Sequence, residues 1–139
     1  MAVCEFCEIV TGRSGAAVVL DEPEVLGFLD VRPVFVGHVL VVTRTHHATL
    51  TDVPSALVAV LFEAVQRLSA AVPRALGAQG SFVAINNTVS QSVPHIHVHV
   101  IPRTKGDGLR GFFWPRVRYS SDEELERTAA MIRSALAAG

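Results

Sequence analysis

The sequence lacks an excess of basic residues, because its 12 lysines and arginines are matched by 13 acidic residues, for a net charge of −1. A protein that coats nucleic acid normally has a strong basic excess, so we expect no nucleic-acid partner. The N-terminus has neither the basic nor the long apolar region of a signal peptide. No apolar run approaches the length of a membrane span, and we expect no membrane partner.

Cysteine is scarce as well. The two cysteines, Cys4 and Cys7, form one Cys-x-x-Cys pair that can stay reduced, which favours a cytoplasmic location. Half of the 139 residues are hydrophobic, as in a compact globular protein and unlike a disordered chain. The length is sufficient for a hydrophobic core and predicts a single domain over residues 1–139.

Histidine, in contrast, is concentrated in one place. Half of the six histidines lie in the segment His95-Ile96-His97-Val98-His99-Val100. Side chains alternate between the two faces of a β-strand, so the three apolar side chains are predicted to enter a core while the three imidazoles share the other face. A row of imidazoles indicates metal ligands, nucleophiles or proton carriers rather than packing.

The rest of the chain predicts a run of strands interrupted by one long helix. Strands are predicted at residues 18–20, 25–29, 38–42 and 81–86 and through the histidine segment. The first two strands flank a polar turn and are predicted to form a hairpin. This order favours an α+β fold with an antiparallel sheet of about five strands.

Two helices complete the predicted fold. Apolar residues spaced by three and four predict a helix that Thr51 caps and that ends near Leu76, with Gly77 just beyond it. Ser121 with Glu124 three residues later is a capping box, which predicts a C-terminal helix.

The histidine segment resembles the signature of the histidine triad (HIT) superfamily. Further motifs of the family follow in the expected order: Cys4-Glu5-Phe6-Cys7, Asp30 with Arg32-Pro33, Gly37-His38-Val39-Leu40-Val41, Asn86-Asn87 with Gln91-Ser92, and Gly111-Phe112-Phe113-Trp114. The resemblance covers nearly the whole chain and is greatest to the bacterial Hint-like branch. It implies a HIT-like fold with one long inserted helix and a C-terminal helix.

The resemblance also implies an activity and an assembly. Hint-like proteins hydrolyse nucleoside phosphoramidates and related adenylylated compounds at the α-phosphate, so a purine nucleotide resembling AMP or GMP is the expected substrate. A homodimer is expected, in which two sheets join across a two-fold axis. The alanine- and valine-rich long helix offers apolar surface beyond the needs of one monomer.

Three histidines are the catalytic candidates. A neutral imidazole is a nucleophile at neutral pH, and its attack on an α-phosphate gives a covalent nucleotidyl-imidazole that water cleaves. By resemblance His97 is this nucleophile, with its tautomer fixed by a backbone carbonyl near the first histidine. His99 can donate to phosphate oxygens or to the leaving group, and His38 resembles a fourth family histidine that lines the site. The alternative for His38 is a core histidine with satisfied hydrogen bonds.

The resemblance assigns substrate contacts to four polar residues. Asp30 resembles the carboxylate that binds the ribose hydroxyls, although an Asp before Arg-Pro is also typical of a turn. Asn86 resembles the asparagine near the phosphate, and Gln91 and Ser92 resemble the residues that contact phosphate and leaving group. The connection from Asn86 to Gln91 is about two residues shorter than in many relatives and lacks their glycines.

An apolar slot is expected for the nucleobase. Its candidates come from the first third of the chain, although for each one a place in the ordinary core is the more common role: Phe6, Ile9, Phe28 and Leu29.

Cys4 and Cys7 supply half of the four ligands that structural zinc requires. A Cys-x-x-Cys alone can be a redox pair, a metal site or incidental, but no βαβ pattern follows it, which argues against a thioredoxin-type role. In zinc-bearing HIT proteins a histidine after the third strand and the first triad histidine complete the site, which here implies His46 and His95, with His47 as the alternative to His46. Such an ion is structural, and no cofactor is expected to be required for the chemistry.

Three other functions are compatible with the sequence. One is a zinc hydrolase that uses the His-x-His pair and an activated water, although the carboxylate of such sites is missing nearby. Another is a dinucleoside polyphosphate hydrolase or phosphorylase of the fragile-histidine-triad type. The last is a nucleotide-binding regulatory protein with little turnover.

Overall fold

The computed structural model describes residues 3–109 and 117–138. They belong to two compact units, Met1–Asp107 and Gly108–Gly139, which are described separately. The motif Gly111-Phe112-Phe113-Trp114 lies outside the described residues. The assignment of residues 1–139 to one domain stays a prediction.

The first unit is a five-stranded sheet with helices. Its elements are α1 (Glu5–Val10), β1 (Val18–Asp21), β2 (Val25–Leu29), β3 (Val39–Thr43), a 3₁₀ turn (Leu50–Asp52), α2 (Ser55–Leu76), β4 (Gly80–Ala84) and β5 (His97–Arg103). The strand order is β1-β2-β3-β5-β4, and every pair is antiparallel. The predicted α+β class and five-stranded antiparallel sheet are confirmed.

The main core lies between the sheet and α2. Ile96, Val98 and Val100 are fully buried there, together with Val41 of β3 and Leu61 of α2. The side-chain alternation predicted for the histidine segment is therefore correct. Ladder pairing begins only at His97, since the amide of Ile96 donates to the carbonyl of His47, outside the sheet.

The opposite face of the sheet is covered as well. Phe6 of α1 lies over it and meets Phe28 edge to face, with ring centroids 5.5 Å apart. Beneath this second cluster His95 and His97 are 0% and 3% exposed. The imidazole row is thus largely desolvated, and each buried ring needs a hydrogen-bond partner.

The start of the long helix differs from its prediction. Thr51 lies within the 3₁₀ turn, and α2 begins at Ser55 after Pro54. The competing signal is Asp52, whose carboxylate accepts the Thr49 amide at 2.9 Å and closes a separate turn. The end is as predicted, because Gly77 adopts φ = +67°, the left-handed conformation that glycine favours after a helix.

By length and composition alone, α2 could cross a membrane, contrary to the expectation that no such run exists. Its buried positions are spaced by three, four and seven residues and pack against the sheet. This one-sided burial is typical of a core helix.

The second unit contains α3 (Asp122–Ala138). Ser121 accepts the Glu124 amide at 3.1 Å, as the capping box predicts. The reciprocal bond is displaced by one residue, since the Glu124 carboxylate accepts the amide of Ser120 rather than that of Ser121.

Candidate functional site

One cavity of about 690 Å³ opens beside the imidazole row. We call it the histidine cavity. Its wall contains the four apolar residues expected in a base slot and four of the expected polar site residues: Phe6, Ile9, Phe28, Leu29, Asp30, Ser92, His97 and His99. An apolar wall with a few convergent polar groups is the usual form of a small-molecule site.

His97 is held by the residues just before its own strand. Its Nδ1 lies 2.8 Å from the carbonyl oxygen of His95. A carbonyl can only accept, so Nδ1 carries the proton and Nε2 keeps its lone pair. Phe6 packs edge to face on this ring at a centroid distance of 5.0 Å. The ring is thereby fixed in the tautomer that a nucleophile requires.

The proton of His99 is assigned by a chain of hydrogen bonds. The backbone amide of Val34 donates to His38 Nδ1 at 3.1 Å, so His38 carries its proton on Nε2. That Nε2 lies 2.9 Å from His99 Nδ1, which must accept. His99 consequently carries its proton on Nε2. His38 is buried and is not among the described residues that line the cavity, so it reaches the site through its hydrogen bond to His99.

The imidazole rings of His38 and His99 are both neutral at neutral pH. Burial, followed by the nearby His97 and His38, lowers the pKa of His99 to about 4. Burial also lowers the pKa of His38, and the carboxylate of Asp30 opposes that change. Neutral rings preserve the donor–acceptor order that directs the His99 proton.

Asp30 closes a turn and also lines the histidine cavity. Its Oδ1 accepts the amide of Arg32 at 2.9 Å, which closes a turn, and its Oδ2 lies 3.8 Å from His38 Nδ1. The half-buried carboxylate also lines the histidine cavity. It is therefore available as an acceptor for hydroxyl groups.

The connection before Ser92 is clamped by Gln91. The Gln91 side chain accepts the Thr88 amide at 2.9 Å and donates to the Ala48 carbonyl at 2.6 Å. Thr88 and Ser90 have φ values of +68° and +61°, which are strained for residues other than glycine. Gln91 is thus engaged in fixing this loop.

Gln91 and Asn86 are not among the described residues that line the cavity, whereas Ser92 is. The neighbouring Asn87 also fixes the connection, because its Oδ1 accepts the Leu50 amide at 2.9 Å.

A second group of polar side chains lies on the far side of His95. We call Cys4, Cys7, His46 and His95 the thiol–imidazole cluster, since one ligand atom from each lies within 4.8 Å of all the others. The sulfur–Nδ1 distances are 3.5 Å for Cys4–His95, 3.6 Å for Cys7–His95 and 3.3 Å for Cys7–His46. His46, rather than His47, belongs to this cluster.

These distances fit a tetrahedral zinc ion. Zn–S bonds of about 2.3 Å and Zn–N bonds of about 2.1 Å separate sulfur and nitrogen ligands by roughly 3.6 Å. His95 is also oriented for ligation, because its Nε2 donates to the carbonyl of Thr43 at 2.6 Å and its Nδ1 lone pair faces the sulfurs. Burial lowers the pKa of His95, which favours the neutral ring that binds a metal.

Asp30, His38 and His99 form another compact group of possible ligands. The lone pair of His38 Nδ1 accepts the Val34 amide, and that of His99 Nδ1 accepts from His38. The hydrogen bonds thus already use these nitrogens, which favours a proton-holding role over metal binding.

Two participants have no signal in the sequence. The Val34 amide and the Thr43 carbonyl each decide the tautomer of a histidine, although neither contributes a side-chain group to the site. Only the distance in space between backbone and ring identifies them.

A family model described as "HIT domain" matches residues 11–106. An uncharacterized HIT-like protein of Mycobacterium tuberculosis is 34% identical, over 96% of this chain and 93% of its own. The adenosine 5′-monophosphoramidase hnt1 of Schizosaccharomyces pombe is 30% identical, over 86% and 89%. The adenylylsulfatase HINT3 of Arabidopsis thaliana is 32% identical, over 76% and 55%.

Solved structures are similar as well. A HIT family protein from Bacillus subtilis superposes with a TM-score of 0.85 at 32% identity, covering 94% of this chain and 95% of the other. A zinc-bound histidine triad family protein from Mycobacterium smegmatis gives a TM-score of 0.73 at 39% identity, covering 95% and 96%.

Proposed function

This chain belongs to the HIT family, and from that premise we propose that it cleaves nucleoside 5′-phosphoramidates and related adenylylated compounds at the α-phosphate. The names of the monophosphoramidase and adenylylsulfatase relatives support this substrate class. The expected ligand is a purine nucleotide such as AMP or GMP.

The observation that carries the proposal is the tautomer of His97. Its Nδ1 proton is committed to the His95 carbonyl, so the unprotonated Nε2 is the remaining ring nitrogen of a side chain that lines the cavity. A protein that only binds nucleotides does not need this arrangement. The fixed tautomer of His97 provides a nucleophile at neutral pH without a separate general base.

The reaction proceeds in two steps. In the first, His97 Nε2 forms a bond to the α-phosphorus, the bond from phosphorus to the leaving nitrogen breaks, and His99 gives that nitrogen a proton. Because neutral His99 has only one proton, it takes up a second from solvent when the anionic phosphate binds and raises its pKa, and it is neutral again after the transfer. In the second, water cleaves the phosphorus–Nε2 bond, returns a proton to His99 and releases the nucleoside monophosphate.

Substrate contacts follow from the cavity wall. Asp30 is proposed to accept hydrogen bonds from the ribose hydroxyls, and Ser92 to donate to the phosphate. Phe6 and Phe28 offer apolar surface to the base. For Gln91 we propose an indirect role, because its side chain holds the loop that leads to Ser92.

Zinc is the proposed occupant of the thiol–imidazole cluster. Cys4, Cys7, His46 and His95 would hold it, and it would cross-link the N-terminal end of α1 to the segments that follow β3 and precede β5. The zinc-bound relative and the ligand distances support this assignment. Because the reaction uses none of these ring nitrogens or sulfurs, no metal is required for the chemistry. Reduced thiols fit the proposed cytoplasmic location.

The test compares kcat/KM for adenosine and guanosine phosphoramidates, adenylyl sulfate and dinucleoside polyphosphates. We expect the highest values for phosphoramidates or adenylyl sulfate, and a burst of leaving group in the first turnover. Preference for dinucleoside polyphosphates would instead favour the fragile-histidine-triad type. Binding without turnover of any member would overturn the proposal.

A further inference from the structure

We propose that Cys4 and Cys7 form a peroxide-sensitive pair, and that their oxidation to a disulfide dismantles the thiol–imidazole cluster and loosens the wall of the histidine cavity that α1 provides. The proposal rests on the proposed function only in taking AMP as the nucleotide. Its metal and disulfide readouts do not depend on turnover.

The first argument is the position of the two sulfurs. Cys4 caps α1 and its Sγ accepts the Cys7 amide at 3.4 Å, so both thiols lie on the first turn of the helix. All ligand atoms of the cluster lie within 4.8 Å of one another. An S–S bond of about 2.05 Å is therefore within reach through side-chain movement alone.

The second argument is access. Both cysteines are only half-buried and both are unpaired thiols in the structure. The groups they anchor, Phe6 and His95, are 5% and 0% exposed. A small oxidant can thus reach the sulfurs while the parts that depend on them stay inside.

The third argument is that α1 is short and that its other anchors are few: the packing of Phe6, Ile9 and Val10, and one bond from Arg44 to the Val10 carbonyl. The helix has six residues, too few for an isolated helix to be stable, and Phe6 is its single buried residue. The two thiols flank Phe6 in sequence and join it to His46 and His95. A disulfide leaves those two histidines as the only ligands of the cluster, fewer than the four that structural zinc needs.

The fourth argument links the cluster to the cavity. Phe6 and Ile9 line the cavity from α1, and Phe6 packs directly on His97. His95 belongs to both sites, since its ring faces the sulfurs and its carbonyl fixes His97 Nδ1. Movement of α1 therefore opens the apolar wall and removes one contact that orients His97.

The chemistry requires a two-electron oxidant, for which hydrogen peroxide is the simplest. One thiolate attacks a peroxide oxygen, the O–O bond breaks, and a sulfenic acid and hydroxide form. The second thiolate attacks the sulfenic sulfur and expels its oxygen as a second hydroxide. Two protons convert the hydroxides to water, the peroxide is reduced, and the two sulfurs are oxidised. A dithiol reductant reverses the change by exchange.

The experiment titrates zinc-loaded protein with hydrogen peroxide. We expect loss of two thiols, a mass lower by two hydrogens, and release of one zinc per chain to a chromophoric chelator. Calorimetry should then give an AMP Kd at least tenfold weaker, with faster amide exchange over residues 5–10. Dithiothreitol with zinc should restore all five measurements.

The matched controls are Cys4→His and, separately, Cys7→His, each of which keeps four possible ligands but only one thiol. In whichever variant binds zinc, peroxide should change the AMP Kd by less than twofold. The proposal is overturned if wild type retains both thiols and zinc in excess peroxide, or if disulfide and zinc release leave AMP affinity and amide exchange unchanged. Failure of the reduced protein to bind AMP would count against the proposed function instead. Amide exchange over α1 would then still decide whether the cysteine pair is a redox switch.

Discussion

At the scale of single residues, the placement of one proton on each ring decides what the imidazoles can do. His95 directs its Nδ1 lone pair to the thiols, His97 keeps its Nε2 lone pair, and His99 holds its proton on Nε2. These tautomers support the proposed roles of the three alternating histidines as a metal ligand, a nucleophile and a donor. The partners responsible are backbone groups and, for His99, the ring of His38.

Replacement of His99 should give a defect that depends on the leaving group. In His99→Gln the proton donor is lost while His97 is intact, so poor leaving groups, which need the proton, should suffer most. We expect kcat to fall by about 10²-fold to 10⁴-fold for an alkylamine leaving group and by less for a good one. A series of substrates with leaving groups of graded pKa measures this dependence. Equal losses across the series would contradict the role assigned to His99.

The low pKa of His99 also makes stability depend on pH. Because its pKa is about 4 in the folded protein and near 6.5 when unfolded, the unfolded state binds more protons between these values. Neutral His99 makes its full contribution to the free energy of unfolding above pH 6.5. This contribution is lost as the pH falls to 4, and after allowance for partial exposure it amounts to about 2 kcal/mol. The free energy of unfolding in urea should fall less between pH 7 and pH 5 in His99→Gln than in wild type, with zinc present in both. Identical changes would contradict the shift.

At the scale of elements, the sequence predicts those features that depend on the periodicity of side chains along a strand or helix. The alternation of the histidine segment correctly gave the core face, because a strand has a period of two whatever it pairs with. The start of α2 was wrong, because Asp52 closes a competing turn with Thr49. The contacts of Gln91 could not be predicted, since its partner Ala48 is 43 residues away in sequence.

The Gln91 clamp gives a prediction for the loop. Gln91→Ala removes the bonds to the Thr88 amide and the Ala48 carbonyl, which releases a connection that contains strained residues. We expect KM to rise about five- to tenfold with a smaller effect on kcat, because each hydrogen bond contributes about 1 kcal/mol. The control is Gln79→Ala, which loses a side-chain bond to the Lys105 amide away from the cavity wall. It should leave KM unchanged, and a rise of equal size in both variants would contradict the clamp.

At the scale of the whole molecule, the sheet has two edge strands, β1 and β4. Edge strands present unpaired backbone groups that a second chain can extend. On the edge strand β4, the side chain of Val83 is 41% exposed. This surface supports the proposed homodimer, in which two β4 strands pair across a two-fold axis.

A charged residue introduced on each edge strand in turn tests which edge forms the dimer interface. Val83→Glu on β4 should convert the dimer to a monomer in sedimentation velocity, because it buries an unpaired carboxylate at the proposed interface. Val19→Glu on β1, where the side chain is 48% exposed, should remain a dimer. Wild type that sediments as a monomer of about 14.9 kDa with full activity would refute the assembly.

The central claim is the covalent intermediate on His97. The most direct measurement mixes protein with an adenosine phosphoramidate, quenches within the first turnover in alkaline denaturant, and locates the nucleotidyl group by peptide mass spectrometry. We predict one nucleotidyl group on His97 of the wild type and none in His97→Ala. In this variant kcat should fall by at least 10³-fold, while the AMP Kd should stay within about tenfold of the wild-type value. A nucleotidyl group on another residue, or more than about a tenth of wild-type kcat in His97→Ala, would contradict the account.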